Sequence, residues 1–381
     1  MTAFRDAYDA VLDHWPGPVD ALDLPTPYGL THINSTGGGG GGGRGEGEEG
    51  GPPPLVLLPG GGATSTVWGG CLAAGLGRGR RVYAVDLVGD PGLSVPADGV
   101  RTRTVADLMR WLDAVLDGLG DGPVELVGHS YGAWIAAHYA VHAPGRLSRL
   151  VLLDPTQVFA GFRPGYLLRA LPMLARPTPE RIRSFLAWES GKGESGRGEP
   201  SPWESVPWES GPGTSRPTDG PVPVPVAITV DGIGAAWLRL QEATAGFPAV
   251  RPVSGPRPAI GRLRDPYAHG AGLGPGAGLG PGAGLGPGAG LGPGAGPALP
   301  VLALFAGRAR CHRADRVAAA AAAALPGAVV GVLPGVGHHA LPLAGAAAIT
   351  ARLRPGATPS GTALPAPPPP NGPPPPSRPR P

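Results

Sequence analysis

Short apolar runs, each followed by text with helical periodicity, constrain this chain more than any other feature of its sequence. Residues 55–58 (LVLL), 81–87 (RVYAVDL), 123–128 (PVELVG) and 147–154 (LSRLVLLD) read as strands that are apolar on both faces, as parallel strands buried between two layers are. Between them, Val105, Leu108, Met109, Leu112, Val115, Leu116 and Leu119 recur at helical spacing, and 131–143 (YGAWIAAHYAVHA) continues as an apolar helix. Alternating strands and helices join parallel neighbours through crossovers, so the expected fold class is α/β, with a mostly parallel central sheet flanked by helices. A strand at 29–34 (GLTHIN) and a short N-terminal helix over Phe4, Tyr8, Val11 and Leu12 precede this pattern. After a lapse it resumes at 300–307 (PVLALFAG) and 328–335 (AVVGVLPG).

The lapse, residues 155–262, carries helical stretches (GYLLRALPMLA, PERIRSFLAW, AAWLRLQEATAGF) and reads as a helical cap inserted in a single domain of residues 1–355. Its aromatic residues Phe159, Phe162, Tyr166, Phe185, Trp188 and Trp237 suit either a substrate pocket or the packing of the cap itself. Three low-complexity inserts interrupt the domain, at 35–54, 191–225 and 264–298, and a proline-rich tail follows at 356–381. Such text cannot bury enough apolar surface to form a core, and it is expected to be disordered. The GAGLGP repeat sets glycine at alternate positions, whereas a collagen helix needs it at every third. The tripeptide Trp-Glu-Ser occurs at 188–190 and again at 203–205 and 208–210, which reads as local duplication.

Charge excludes several classes of partner. The net charge is +3, with one lysine, Lys192, and arginines scattered along the chain, so no basic block marks a nucleic-acid surface. No apolar run is long enough to span a membrane, and acidic residues interrupt the N-terminal stretch where a signal peptide would be apolar. Cys71 and Cys311 are expected as reduced thiols, and the protein as cytoplasmic. Oligomeric state leaves no trace in the sequence.

The segment Gly128-His129-Ser130-Tyr131-Gly132 stands between an expected strand and an expected helix. A nucleophilic serine there needs a very tight turn, and glycines two residues to either side supply the room. This pentapeptide resembles the nucleophile elbow of the α/β-hydrolase fold family. Three further segments extend the resemblance over roughly residues 23–345: LLPGGGATSTVW after the strand at 55–58, VYAVDLVGDPGLS, and VLPGVGHHALP near the end of the domain. It implies Ser130 as nucleophile and His338, in preference to His339, as base. It implies the backbone N–H groups of Gly61 and Tyr131 as oxyanion donors. For the acid it leaves two candidates, Asp154 at the tip of the strand after the elbow helix and Asp315 further on, with Asp154 favoured by position. The implied activity is hydrolysis of a small-molecule ester or other acyl substrate through an acyl-enzyme, with no cofactor; an acyltransferase or an inactive binding protein on the same triad is the alternative. Serine at the elbow argues against the epoxide and haloalkane hydrolases of the family, which resemble members with aspartate there.

Other constellations fare less well. Gly60, Gly62 and Ser65 followed by Asp86 resemble a dinucleotide-binding turn, but the third glycine is replaced and Ser130 and His338 are left without a role. The glycines at 37–43 precede a strand and have no following lysine, so they form no phosphate loop. Cys311, His312, His338 and His339 match no metal-ligand spacing, and no metal is expected. His138 and His142 share a helix face but have no third ligand.

Overall fold

The structure, a computed structural model, describes residues 2–37, 51–120, 122–190, 230–247, 252–264 and 298–354. The tail at 356–381 and nearly all of the three low-complexity inserts lie outside the described residues. Residues 35 and 36 belong instead to the second strand. The strands are β1 (Asp20–Thr26), β2 (Gly29–Thr36), β3 (Leu55–Leu58), β4 (Val82–Val85), β5 (Val95–Pro96), β6 (Val124–His129), β7 (Leu147–Leu153), β8 (Val301–Ala306) and β9 (Val329–Leu333). The helices are α1 (Thr2–Leu12), α2 (Gly69–Ala73), α3 (Val105–Leu119), α4 (Tyr131–His142), α5 (Pro164–Ala175), α6 (Pro179–Glu189), α7 (Val230–Ala243), α8 (Ala314–Ala324), α9 (Leu341–Ala344) and α10 (Ala346–Leu353).

All strands join one sheet in the order β1-β2-β4-β3-β6-β7-β8-β9, with β5 on β2. The pairs from β4 through β3, β6, β7 and β8 to β9 are parallel, as the alternation with helices requires. At the other end β2 runs antiparallel to β1, β4 and β5. Sequence reading misses β1 because DALDLPT has acids and a proline and no apolar run. It is an edge strand with a single neighbour, where Pro25 costs little.

The apolar runs are continuous because successive side chains serve opposite cores. Val56, Leu58, Leu126, Leu150, Leu152 and Phe305 face the layer of α3, α4 and α8. Leu55, Leu57, Val127, Val151, Leu153 and Leu304 face α1, α2, α7, α9 and α10. Helix α3 starts at a capping box in which the Thr104 side chain accepts from the Asp107 N–H and Asp107 reciprocates. Helices α5, α6 and α7 all fall between β7 and β8. Tyr166, Ala170 and Phe185 pack a small core of their own with Cys311, joined by Phe162 and Trp188. Trp237 goes elsewhere, into the core shared with α1. Cys71 and Cys311 are both buried free thiols.

At the end of β4, Asp86 is fully buried. Its carboxylate accepts from the Ser65 N–H (2.7 Å), the Leu93 N–H (2.7 Å) and the Tyr8 hydroxyl (3.0 Å). Gly92 is needed beside it, since a Cβ there would lie 2.8 Å from the carboxylate. The dinucleotide reading fails here: the acid that would hold a ribose is spent on anchoring the loops after β3 and β4. Asp86→Ala strands three donors in the interior and should lower unfolding free energy by about 3 kcal/mol, read from the urea midpoint.

Candidate active site

Ser130 sits between β6 and α4 with φ 53° and ψ −113°, in a region that non-glycine residues avoid at a cost of roughly 1–3 kcal/mol. The surroundings enforce this turn. The Ser130 N–H donates to the Leu153 carbonyl (3.0 Å) and the Ser130 carbonyl accepts from the Trp134 N–H (3.1 Å). A Cβ on Gly128 would fall 2.4 Å from the Gly132 carbonyl oxygen, and one on Gly132 would fall 2.3 Å from that of Pro59. Both glycines therefore allow strand, helix and the loop after β3 to close on one another.

The structure brings Ser130, His338 and Asp154 together from three separate segments. Ser130 Oγ lies 2.8 Å from His338 Nε2, and His338 Nδ1 lies 2.5 Å from Asp154 Oδ2. Asp154, fully buried at the tip of β7 and held at φ 45°, uses its other oxygen to accept from the Ala306 N–H at 3.0 Å. With Nδ1–H donating to the carboxylate, Nε2 is left to accept the serine proton; this tautomer follows from the hydrogen-bond network. Asp315 is exposed in the first turn of α8, outside this group. His339 points away, its Nε2 pairing with the Tyr166 hydroxyl at 3.0 Å.

Burial alone would raise the Asp154 carboxyl, yet His312 and His338 beside it hold it well below the usual carboxylate range. Burial likewise opposes a charged His338, but the Cys311 sulfur and the Asp154 carboxylate outweigh it and raise the imidazole above its ordinary value. His312 follows the same pattern: burial works against its charge, Asp154 favours it, and its pKa is pushed up to about 9. Its Nε2 is 2.9 Å from Asp154 Oδ1, but off the direction of a hydrogen bond. His129 is held down to about 3 by burial. Being neutral, it can donate from Nε2 to the His338 carbonyl, 2.9 Å away.

Of the metal set considered in the sequence, Cys311 and His338 do come together, with Asp154 in place of His339; their ligand atoms lie within 4.8 Å of one another. Two of the three are already hydrogen bonded to each other, which accounts for the cluster without an ion.

Gly60 and Gly61 lie directly over the elbow. A Cβ on Gly60 would be 3.2 Å from Ser130 Cβ, and one on Gly61 would be 3.5 Å from Tyr131 Cβ. The Tyr131 N–H opens α4 and has no acceptor within that helix, so the positive end of the helix faces the serine. The loop is held on both sides of Gly61: the Ala63 N–H donates to the Gly60 carbonyl (3.0 Å) and the Gly62 N–H to Asp90 (3.2 Å). Burial pushes the Asp90 carboxyl up to about 6, against the Gly62 N–H, which lowers it. A folded-state pKa above the unfolded one means that the carboxyl favours folding when protonated, and that this contribution fades as pH rises through about 6. Asp90→Asn keeps an acceptor for Gly62 and removes the half-buried charge. Its thermal midpoint should exceed that of the wild type at pH 8 by the equivalent of about 1–2 kcal/mol, and the gap should close in acid below the ordinary carboxylate value.

Two residues escape the sequence reading. His129 is quoted within the elbow motif, but nothing local assigns it a partner. Glu189 belongs to the repeated tripeptide, whose recurrence singles it out without giving it a role. Its buried carboxylate accepts from the His338 N–H at 2.7 Å and the His339 N–H at 3.4 Å. The other copies of the tripeptide lie outside the described residues.

A parallel sheet in this order, a strained serine between β6 and α4, and a histidine delivered after the last strand define the α/β-hydrolase fold. Similarity to known proteins agrees. The sequence profile of the alpha/beta hydrolase fold matches residues 53–185. Carboxylesterase YbfK of Bacillus subtilis is 29% identical over 188 residues, which cover 49% of this chain and 58% of that protein. An uncharacterized carboxylesterase, nap, of the same organism is 29% identical over 185 residues, 49% of this chain and 56% of its own length. The chain thus spans little more than half the length of the curated relatives it matches. The crystal structure of naproxen esterase from Bacillus subtilis superposes with a TM-score of 0.62 at 19% identity, covering 92% of this chain and 96% of that one. The chain is an α/β-hydrolase-fold protein. Among the described residues, no helix is long and apolar enough to cross a membrane.

Proposed function

We propose that this protein is a serine esterase that hydrolyses carboxylic esters through an acyl-enzyme on Ser130. The observation that carries the reading is the continuous hydrogen-bonded chain Ser130 Oγ, His338 Nε2, His338 Nδ1, Asp154. In acylation, Ser130 Oγ attacks the ester carbonyl while His338 Nε2 takes its proton, and Asp154 stabilises the imidazolium that forms. The carbonyl oxygen, now negative, is received by the N–H groups of Gly61 and Tyr131. Collapse expels the alcohol, protonated by His338, and leaves an acyl-serine. Water then enters, His338 removes its proton, and the second tetrahedral intermediate breaks to the acid and free Ser130.

The similarity to carboxylesterases supports an ester as substrate. A fluorophosphonate probe and p-nitrophenyl acetate test the reading together. Stoichiometric labelling at Ser130 with release of p-nitrophenol supports it; folded protein that takes up no probe and releases no phenol refutes it.

A further inference from the structure

We propose that Glu189 is the positioning residue of the His338 loop: from the end of α6, its buried carboxylate seats the imidazole between Ser130 and Asp154 and sets a second negative charge near it. The inference rests on the reading of His338 as the base. The ring of His338 touches Ser130 and Asp154, but two hydrogen bonds do not fix the backbone that carries it. That backbone is gripped from both sides. Its carbonyl accepts from His129 Nε2 at 2.9 Å and from the Leu341 N–H at 3.3 Å. Its N–H donates to Glu189 Oε1 at 2.7 Å, and the next N–H, of His339, points to Oε2 at 3.4 Å. One carboxylate thus spans two consecutive amides.

The fit depends on the neighbouring residue. A Cβ on Gly337 would lie 3.0 Å from Glu189 Oε2, so a side chain there would push the carboxylate off the loop. Glu189 is only 1% exposed, and a carboxylate is not buried without compensation. Burial raises its pKa above the ordinary carboxylate value, and His338 and the two amides oppose that rise. The interaction is mutual: an anion that gains from a charged His338 also favours charging it, at the moment when Ser130 gives up its proton. Helix α6 lies between β7 and β8 in the chain, in the small aromatic core around Tyr166 and Phe185. A shift of this helix therefore moves the base.

Glu189→Ala removes both acceptors and the charge; Glu189→Gln keeps an amide oxygen for the His338 N–H and removes the charge alone. Asp154, Cys311, His312, His129 and His339, the other titratable groups around His338, are unchanged in both. With p-nitrophenyl acetate, kcat of Glu189→Ala is expected to fall about 100-fold at nearly constant KM, the penalty of a base displaced by a fraction of an ångström to an ångström. Glu189→Gln should recover most of that loss. Its His338 imidazole, followed by 15N NMR, should titrate about one unit lower, a tenfold change in proton affinity, and the acid limb of kcat/KM should move with it.

An unmoved His338 titration in Glu189→Gln overturns the proposal, as does wild-type kcat in folded Glu189→Ala. If the alanine variant does not fold, the glutamine titration decides alone. A shifted titration in a protein that hydrolyses no ester sinks the esterase reading and leaves the role of Glu189 standing.

Discussion

Ser130→Ala will give a folded protein that takes up no fluorophosphonate and hydrolyses p-nitrophenyl acetate roughly 10⁶-fold more slowly than the wild type, near the limit for loss of a triad serine. The loss is total for the acyl-enzyme route because, among the described residues, Ser130 Oγ is the hydroxyl paired with His338 Nε2. Stability will respond differently. Alanine keeps a Cβ and so keeps the strain of φ 53°, whereas glycine adopts that conformation freely. Ser130→Gly should therefore unfold at a higher temperature than Ser130→Ala, by the equivalent of about 1 kcal/mol, while being equally inactive. Equal midpoints would show that the elbow stores no strain.

Asp154→Asn is expected to cost about 10⁴-fold in kcat. An amide offers Nδ1 of His338 a donor as readily as an acceptor, so the imidazole can turn its proton toward Ser130 and lose its capacity as a base. Asp315→Asn, at an exposed position in α8, should match the wild type; if it alone abolishes turnover, the triad drawn here is wrong. The same substitution tests the electrostatics. With its pKa raised to about 9, His312 contributes stability that is fully present below the ordinary histidine value and is lost as pH rises through about 9. Removing the Asp154 charge removes the larger of two causes, the Cys311 sulfur being the other, so Asp154→Asn should unfold with a midpoint that changes less between pH 7 and pH 10 than that of the wild type. Both variants are read with the same ester and the same thermal melts.

Much of the architecture was legible because burial leaves a periodic record. The runs at 55–58, 150–153 and 301–306 are apolar at every position, since odd and even residues enter different cores. Strand β1 was not legible, because an edge strand with one neighbour is under no such demand. The elbow could be read from two glycines, and the structure gives the reason: at Gly128 and Gly132 another backbone occupies the place of a Cβ. The choice of Asp154 over Asp315 rested on position after a strand; the structure places Asp154 Oδ2 2.5 Å from His338 Nδ1 and Asp315 in the exposed first turn of α8. His129, Glu189 and His312 had no such signal; each matters through a partner far away in the chain.

What the sequence determined by itself is therefore local and repetitive: which segments are strands and helices, that the sheet is largely parallel, and that Ser130 sits in a turn too tight for ordinary residues. Only the tertiary structure decided which acid and which histidine meet that serine, and that Asp86 anchors loops rather than a ligand. The physical reason is one of range. Periodicity and turn sterics act between residues a few positions apart, whereas the hydrogen-bonded chain from Ser130 through His338 to Asp154 joins β6, β7 and the loop after β9 and exists only once the sheet has closed.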